Sequence, residues 1–263
     1  IAYYITIIYL KGEVILMEEN IMAIAMAAGK GTRMKSKKSK LVQKIYGKEI
    51  VKRAVENAMK AGVKDIVAVV GYMKEEVMAV LGNDVKYAYQ EEMLGTGHAV
   101  MQAKEFLKGK KGKVLVLNGD VPLIRPETLN KLIEKSMENK EYATLLTAIY
   151  DNPTGYGRIV RDEGGNIEAI VEEKDTTPEQ KEIKEINAGI YCFDIEELLS
   201  ALEKIKPNNA QGEYYLTDVI QLMNEKGLKT GAVIVEDNTE ILGINDRIQL
   251  EMLTKVLQMR INT

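Results

Sequence analysis

Histidine and cysteine occur once each in the 263 residues, as His98 and Cys192, and tryptophan does not occur at all. One histidine cannot build a histidine-rich metal site, and a Ser-His-Asp triad could form only around His98. A lone cysteine excludes an internal disulfide and a thiolate metal cluster, and points to a reducing compartment, the cytoplasm. Neither sign of charge dominates. Lys and Arg number 36 against 39 Asp and Glu, a net charge of −3 with a pI near 5.6. No global basic field draws the chain to nucleic acid or anionic lipid. Long apolar runs are also missing: IAYYITIIYL (1–10) is too short to span a bilayer, and no small-residue cleavage signature follows it. Nucleic-acid and membrane partners are therefore not expected. Met17 or Met22 is read as the natural start, which makes residues 1–20 an extension outside the core.

What remains, 46% hydrophobic and 29% charged residues, is ordinary for a globular chain able to bury a core. From Ile21 short apolar runs alternate with amphipathic segments. IMAIAMAA (21–28), DIVAVVG (65–71), DVKYAYQ (84–90) and KVLVLNGD (113–120) read as strands. Segments 49–62, 75–82, 97–108 and 126–139 read as helices, the last opened by Pro126 at its first turn. That order predicts an α/β fold, a Rossmann-like doubly wound mixed sheet with right-handed crossovers. Near residue 142 the rhythm changes. YATLLTAIY (142–150), GRIVRD (157–162) and NIEAIVEE (166–173) read as strands joined by the turn-rich DNPTGY and EGG, as in antiparallel hairpins. A small antiparallel extension in the C-terminal half is expected. A strand at 186–194, helices near 195–203 and 214–226, a strand at 229–236 and an amphipathic helix at 247–261 follow. Ligands of such sheets sit beyond the carboxyl ends of the strands, so the loops after 28, 90, 120, 172 and 187 should meet at one cleft.

The first of those loops, AAGKGTRMKSKKSK (27–40), is close to two phosphate-binding patterns and fits neither, because Met34 stands where each needs glycine. Backbone amides of Gly29, Lys30, Gly31 and Thr32 can still cradle anionic oxygens. Arg33 can clamp phosphate in bidentate fashion and Lys40 adds a point charge. A solvated lysine-rich loop and a nucleic-acid stripe compete with this; the preceding strand and paired glycines favour phosphate, and Tyr46 is the only interleaved aromatic. Gln90, in QEEMLGTGHAV (90–100), offers an amide donor and acceptor that could read a pyrimidine edge. Asp120, in NGDVPL (118–123), presents a carboxylate just past a strand, as a turn residue or as a ligand for a hard cation.

AMAAGKGTRMKSKKSK closely resembles the signature loop of sugar-nucleotide pyrophosphorylases, in the form A-A-G-x-G-T-R-M found in bacterial N-acetylglucosamine-1-phosphate uridyltransferases. Met34 is then the family's own residue. One departure stands out: Ser39 replaces the proline usual before the second lysine. The resemblance extends over about residues 20–262 and keeps the family order through QEEMLGTGHAV, NGDVPL, TGYGRI (154–159), IVEEKD (170–175), EINAGI (185–190), QGEYYLTD (211–218) and GIND (243–246).

It implies Mg²⁺-dependent transfer of UMP from UTP to N-acetylglucosamine 1-phosphate, giving UDP-N-acetylglucosamine and pyrophosphate for cell-wall precursor synthesis. Arg33 and Lys40 would be catalytic. Ala28, Gly29, Gly31, Thr32, Gln90, Gly95 and Thr96 would hold the nucleotide. Gly157, Glu172, Lys174, Asn187 and Thr217 would hold the sugar phosphate, and Asp120 with Asn245 the Mg²⁺. Residues 21–246 would form the nucleotidyltransferase domain, a UTP half (about 21–141) and a sugar half (about 142–246). Residues 247–263 would begin a linker helix. Many relatives continue into a hexapeptide-repeat acetyltransferase domain, of which no repeat occurs here; a homo-oligomer built through such a domain is left open. A transferase for another sugar 1-phosphate, or for dTTP, and a non-catalytic nucleotide sensor are the alternatives.

Overall fold

The computed structural model describes residues 20–262 and, before them, the strands Ile5–Leu10 and Glu13–Glu18, which pair antiparallel in a sheet of their own. The expected extension at 1–20 otherwise lies outside the described residues. No helix among those described is long and apolar enough to cross a membrane.

Nine strands build the main sheet: β1 (Ile21–Ala27), β2 (Asp65–Val70), β3 (Lys86–Tyr89), β4 (Lys113–Asn118), β5 (Ala143–Ile149), β6 (Arg158–Arg161), β7 (Ile167–Val171), β8 (Glu185–Asp194) and β9 (Thr230–Ile234). Across the molecule they run β3-β2-β1-β4-β8-β5-β9. Pairings β3-β2, β2-β1, β1-β4 and β5-β9 are parallel, whereas β8 runs against both neighbours. The antiparallel hairpin β6–β7 joins the start of β8 through Arg158 opposite Ile186, which is the small extension expected.

One part of that expectation is corrected. β5 makes no hairpin with β6; it lies inside the main sheet between β8 and β9. DNPTGY is a loop leading away from the sheet, and the partner of β5 comes from beyond residue 184, a distance that local turn chemistry does not encode.

Strand β1 explains the layers. Its alternate residues enter opposite cores: Ala23, Ala25 and Ala27 one, Met22 and Ile24 the other. On the first face pack α1 (Ile50–Lys60), α2 (Lys74–Leu81), α4 (Pro126–Glu138) and α7 (Arg247–Asn262). On the second pack α3 (Thr96–Gln102), α5 (Ile195–Leu202) and α6 (Asp218–Glu225). Helix α1 buries Ile50, Val51, Ala54, Val55 and Ala58, a stripe of helical spacing. The helix expected over 97–108 is two pieces, α3 and Lys104–Leu107, separated at Ala103.

Candidate functional site

Two adjoining cavities of about 260 and 380 Å³ open at the carboxyl ends of the parallel strands, and Met26, Thr96, Asn118 and Asp120 line both. Ala28, Gly29, Lys40, Gln90 and Gly95 line the first; Arg33, Gly157, Glu172, Asn187, Thr217 and Asn245 line the second. Ligands in the two cavities would therefore meet at Asp120. Gly31 and Thr32, in the opening loop, line neither cavity, and Lys174 is exposed on the short 3-10 turn Glu173–Asp175, outside either lining.

The opening loop has a physical reason for Met34. After β1 the chain turns through Gly31, in left-handed conformation at φ 57°, into the single 3-10 turn Thr32–Met34. Met34 is 3% exposed and packs in the core with Leu41 and Ile45. It anchors the turn from below while Arg33, exposed and without a hydrogen bond or ion pair among the described residues, reaches the second cavity.

Lys40 is the centre of the arrangement. Its ammonium donates to Asp120 Oδ2 at 2.5 Å and to Asn245 Oδ1 at 3.1 Å, joining residues 80 and 205 positions away. Asp120 follows β4, and its backbone oxygen accepts from Ile244 N at 3.0 Å, which draws the 243–246 segment over it. Gln249 Oε1 in turn accepts from Asn245 N at 2.7 Å. Two oxygen donors thus already converge on one cation. No group of three or more His, Cys, Asp or Glu able to hold a metal occurs among the described residues. A carboxylate and an amide oxygen fit a hard divalent ion that completes its shell with water and substrate phosphates.

Ser39 is 1% exposed, with φ −52° and ψ 141°, a backbone that proline would also adopt. Its N–H donates to Glu76 Oε2 at 2.8 Å and its Oγ accepts from Leu41 N at 3.3 Å. Two hydrogen bonds hold the turn that a proline, expected here from the resemblance, would hold by ring closure. Ser39→Pro removes both. A charged hydrogen bond contributing about 1.5–3 kcal/mol and a neutral one contributing about 0.5–1.5 kcal/mol are lost, against about 0.4–1 kcal/mol gained by restricting the unfolded chain, so stability should fall by about 1–4 kcal/mol. Urea denaturation checks this, and a stabilised variant would show that the Glu76 bond contributes nothing.

Along the first cavity, Gln90 Nε2 donates to Gly95 O at 3.2 Å and lies 3.1 Å from His98 Nδ1, while its Oε1 takes no hydrogen bond among the described residues. His98 sits between Gln90 and Gln102 and lines neither cavity, the packing role that a residue at a helix start also allows. Tyr215 is 6% exposed and belongs to the core; Tyr214 lies half-buried beside His98.

Along the second cavity, Thr217 Oγ1 donates to Glu172 Oε1 at 3.2 Å, and burial raises the Glu172 carboxyl above its ordinary range against that hydrogen bond. Asn187 Nδ2 donates to Tyr191 Oη at 2.7 Å and its Oδ1 accepts from Gly189 N at 3.0 Å, so a ligand would share atoms already engaged. Loop 154–157 is fixed from behind by buried Arg158, which bonds Tyr156 O and pairs with Glu173 at 2.8 Å; Glu173 also accepts from Gly155 N. Asn118, Tyr156 and Gln249 line the site without having been singled out in the sequence. Of these, Asn118 in NGD and Tyr156 in TGYGRI lay within stretches that carry the resemblance, whereas Gln249 carried no signal.

Beside Thr217, burial and then the charge of Asp175 push the Asp218 carboxyl up to about 6. Its folded value is raised, so the stability it confers is complete below its ordinary value of 3.8 and is lost as pH rises through about 6. Asp218→Asn should therefore gain about 1 kcal/mol at pH 7.5, a figure reduced for solvent screening of a half-exposed group. It should gain almost nothing near pH 4. Equal gains at both pH values in urea titrations would show that the carboxyl's charge is not the cause.

A family model described as nucleotidyl transferase matches residues 22–241. The bifunctional protein GlmU of Caldanaerobacter subterraneus subsp. tengcongensis is 52% identical over 244 residues, 93% of this chain and 53% of its own length. GlmU of Acetivibrio thermocellus is 51% identical over 243 residues, 92% of this chain and 53% of that protein. The chain spans about half the length of the curated relatives it matches. A crystal structure of a Bacillus anthracis protein assigned as a glucose-1-phosphate thymidylyltransferase superposes with a TM-score of 0.72 at 20% identity, covering 90% of this chain and 94% of that one, a likeness of fold.

Proposed function

This chain belongs to the nucleotidyl transferase family, and we propose that it transfers UMP from UTP to N-acetylglucosamine 1-phosphate, releasing pyrophosphate. The product would be UDP-N-acetylglucosamine, a cell-wall precursor, and the lone cysteine agrees with a reaction in the cytoplasm. Residues 21–141 would serve chiefly the nucleotide and 142–246 the sugar phosphate, with 247–263 starting a linker helix.

The observation that carries this reading is the Lys40–Asp120–Asn245 cluster, whose carboxylate borders two cavities. The proposed reaction needs no protein nucleophile. A sugar 1-phosphate is an anion at neutral pH; its phosphate oxygen bonds to the α-phosphorus of UTP as the bond to the β-phosphate oxygen breaks. The protein has to align two anions and offset the charge spread over their phosphates. Arg33 and Lys40 would supply positive charge from opposite sides of the junction. Gly29 and its neighbours would offer backbone amides to the nucleotide, and Gln90 its free Oε1 to the base. Glu172, Asn187, Thr217 and Gly157 would bind the sugar.

The family is generally dependent on a divalent metal. Here we assign Mg²⁺ to Asp120 and Asn245, where, when bound, it would neutralise and orient substrate phosphates.

The test offers UTP, dTTP and CTP against a panel of sugar 1-phosphates with Mg²⁺ and follows pyrophosphate release. UTP with N-acetylglucosamine 1-phosphate should give the highest kcat/KM. Preference for another pair would overturn the specificity, and no release from any pair would overturn the reaction.

A further inference from the structure

Lys40 stands where the metal would be. Its ammonium takes hydrogen-bonding positions on Asp120 Oδ2 and Asn245 Oδ1, the amide oxygen and one of the two carboxylate oxygens of the residues assigned to the divalent ion. An ion bound at about 2.0–2.1 Å from such oxygens would lie inside contact distance of Lys40 Nζ. Two cations so close repel, and at side-chain exposures of 11% for Lys40 and 21% for Asp120 little water screens them. Ammonium and metal therefore exclude each other.

The lysine is also guided. Its stem passes so close to Gly31 that a Cβ there would lie 2.7 Å from Lys40 Cγ and 2.8 Å from Cδ. From that slot the side chain borders the cavity lined by Gly29, Gln90 and Gly95, the one assigned to the nucleotide. An anionic group arriving in that cavity offers the ammonium a new partner.

We infer that Lys40 is a resident cation that closes the metal site of the substrate-free protein, and that nucleotide phosphates open the site by drawing the ammonium away. This rests on the metal assignment proposed above. It makes nucleotide and metal binding mutually reinforcing, because a ligand that removes Lys40 from Asp120 raises metal affinity, and linkage requires the converse by the same factor. Metal alone binds weakly, since it must first expel the lysine.

The experiment titrates Mn²⁺, a paramagnetic probe, into the substrate-free full chain and reads free ion by electron paramagnetic resonance. Lys40→Met should bind Mn²⁺ more tightly than the unaltered chain, by about 5- to 150-fold. Lys40→Gln, a second neutral variant, should do the same if the methionine variant folds poorly. Adding Asp120→Asn to either should cancel the gain. Affinity equal to or weaker than that of the unaltered chain in both lysine variants, with binding still dependent on Asp120, overturns the resident-cation role and leaves the metal assignment standing. Absence of Asp120-dependent Mn²⁺ binding in every variant overturns the metal assignment and this inference with it.

Discussion

Asp120→Ala should lower kcat/KM by at least about 10²–10³-fold, the usual cost of one group that stabilises developing charge, while the chain stays folded. The fold tolerates the change because Asp120 is held mainly by its backbone, whose oxygen accepts from Ile244 N whatever the side chain. The carboxylate itself touches the site: Lys40 Nζ on one side and, about 3.5 Å from a Cβ built on Gly243, the segment that carries Asn245. Removing it leaves the ammonium with a single amide oxygen, at a stability cost of about 1–3 kcal/mol. Activity is therefore expected to fall much further than stability. Normal turnover of Asp120→Ala in Mg²⁺, with an unchanged circular dichroism spectrum, would sink both the metal assignment and the role of the Lys40 cluster. Asp120→Asn keeps the shape and removes the charge, so a matching loss would assign the effect to charge.

Much of this architecture was legible because parallel sheets write themselves locally. Strands β1, β2 and β4 are continuous apolar runs, and α1 and α4 carry helical stripes with glycine or proline at an end. What stayed hidden is non-local. The pairing of β5 with β8 and β9 depends on segments up to 90 residues away, while DNPTGY advertises a hairpin that does not form. Ala103 ends α3 despite being a strong helix former, so no residue type marked that break. The site shows the same division. Most loop residues that meet the family pattern line the cavities, whereas Glu76 and Gln249, which support them from behind, carry no recognisable signature. Ser39 lacks the ring of the proline expected there; its N–H and Oγ supply a different restraint.

Gly95 tests that division most sharply. The resemblance places it among the residues that would hold the nucleotide, and by that account alone Gly95→Ala would weaken UTP binding and leave stability unchanged. The structure gives it a second duty. At φ 109° and ψ 176° its backbone occupies a region almost confined to glycine. A Cβ there would lie 2.6 Å from Tyr214 O and 2.9 Å from Glu213 Cβ. Tyr214 N donates to Leu94 O and Gly97 N donates to Tyr214 O, both at 2.8 Å, so the two loops are bonded face to face. The obstacle is backbone, which cannot rotate aside as a side chain would. Backbone strain of about 1–3 kcal/mol adds to an overpacking cost of about 1–3 kcal/mol. Gly95→Ala should thus lose about 3–5 kcal/mol, and at about 2–4 °C per kcal/mol for a chain of this size the melting temperature should drop by roughly 10 °C. Because Glu213 lines the cavity proposed for the nucleotide and Thr217 the one proposed for the sugar, KM should rise for both substrates. Scanning calorimetry with separate KM measurements decides it. An unchanged melting temperature with a rise in KM for UTP alone would return Gly95 to the simpler role of making room for a ligand.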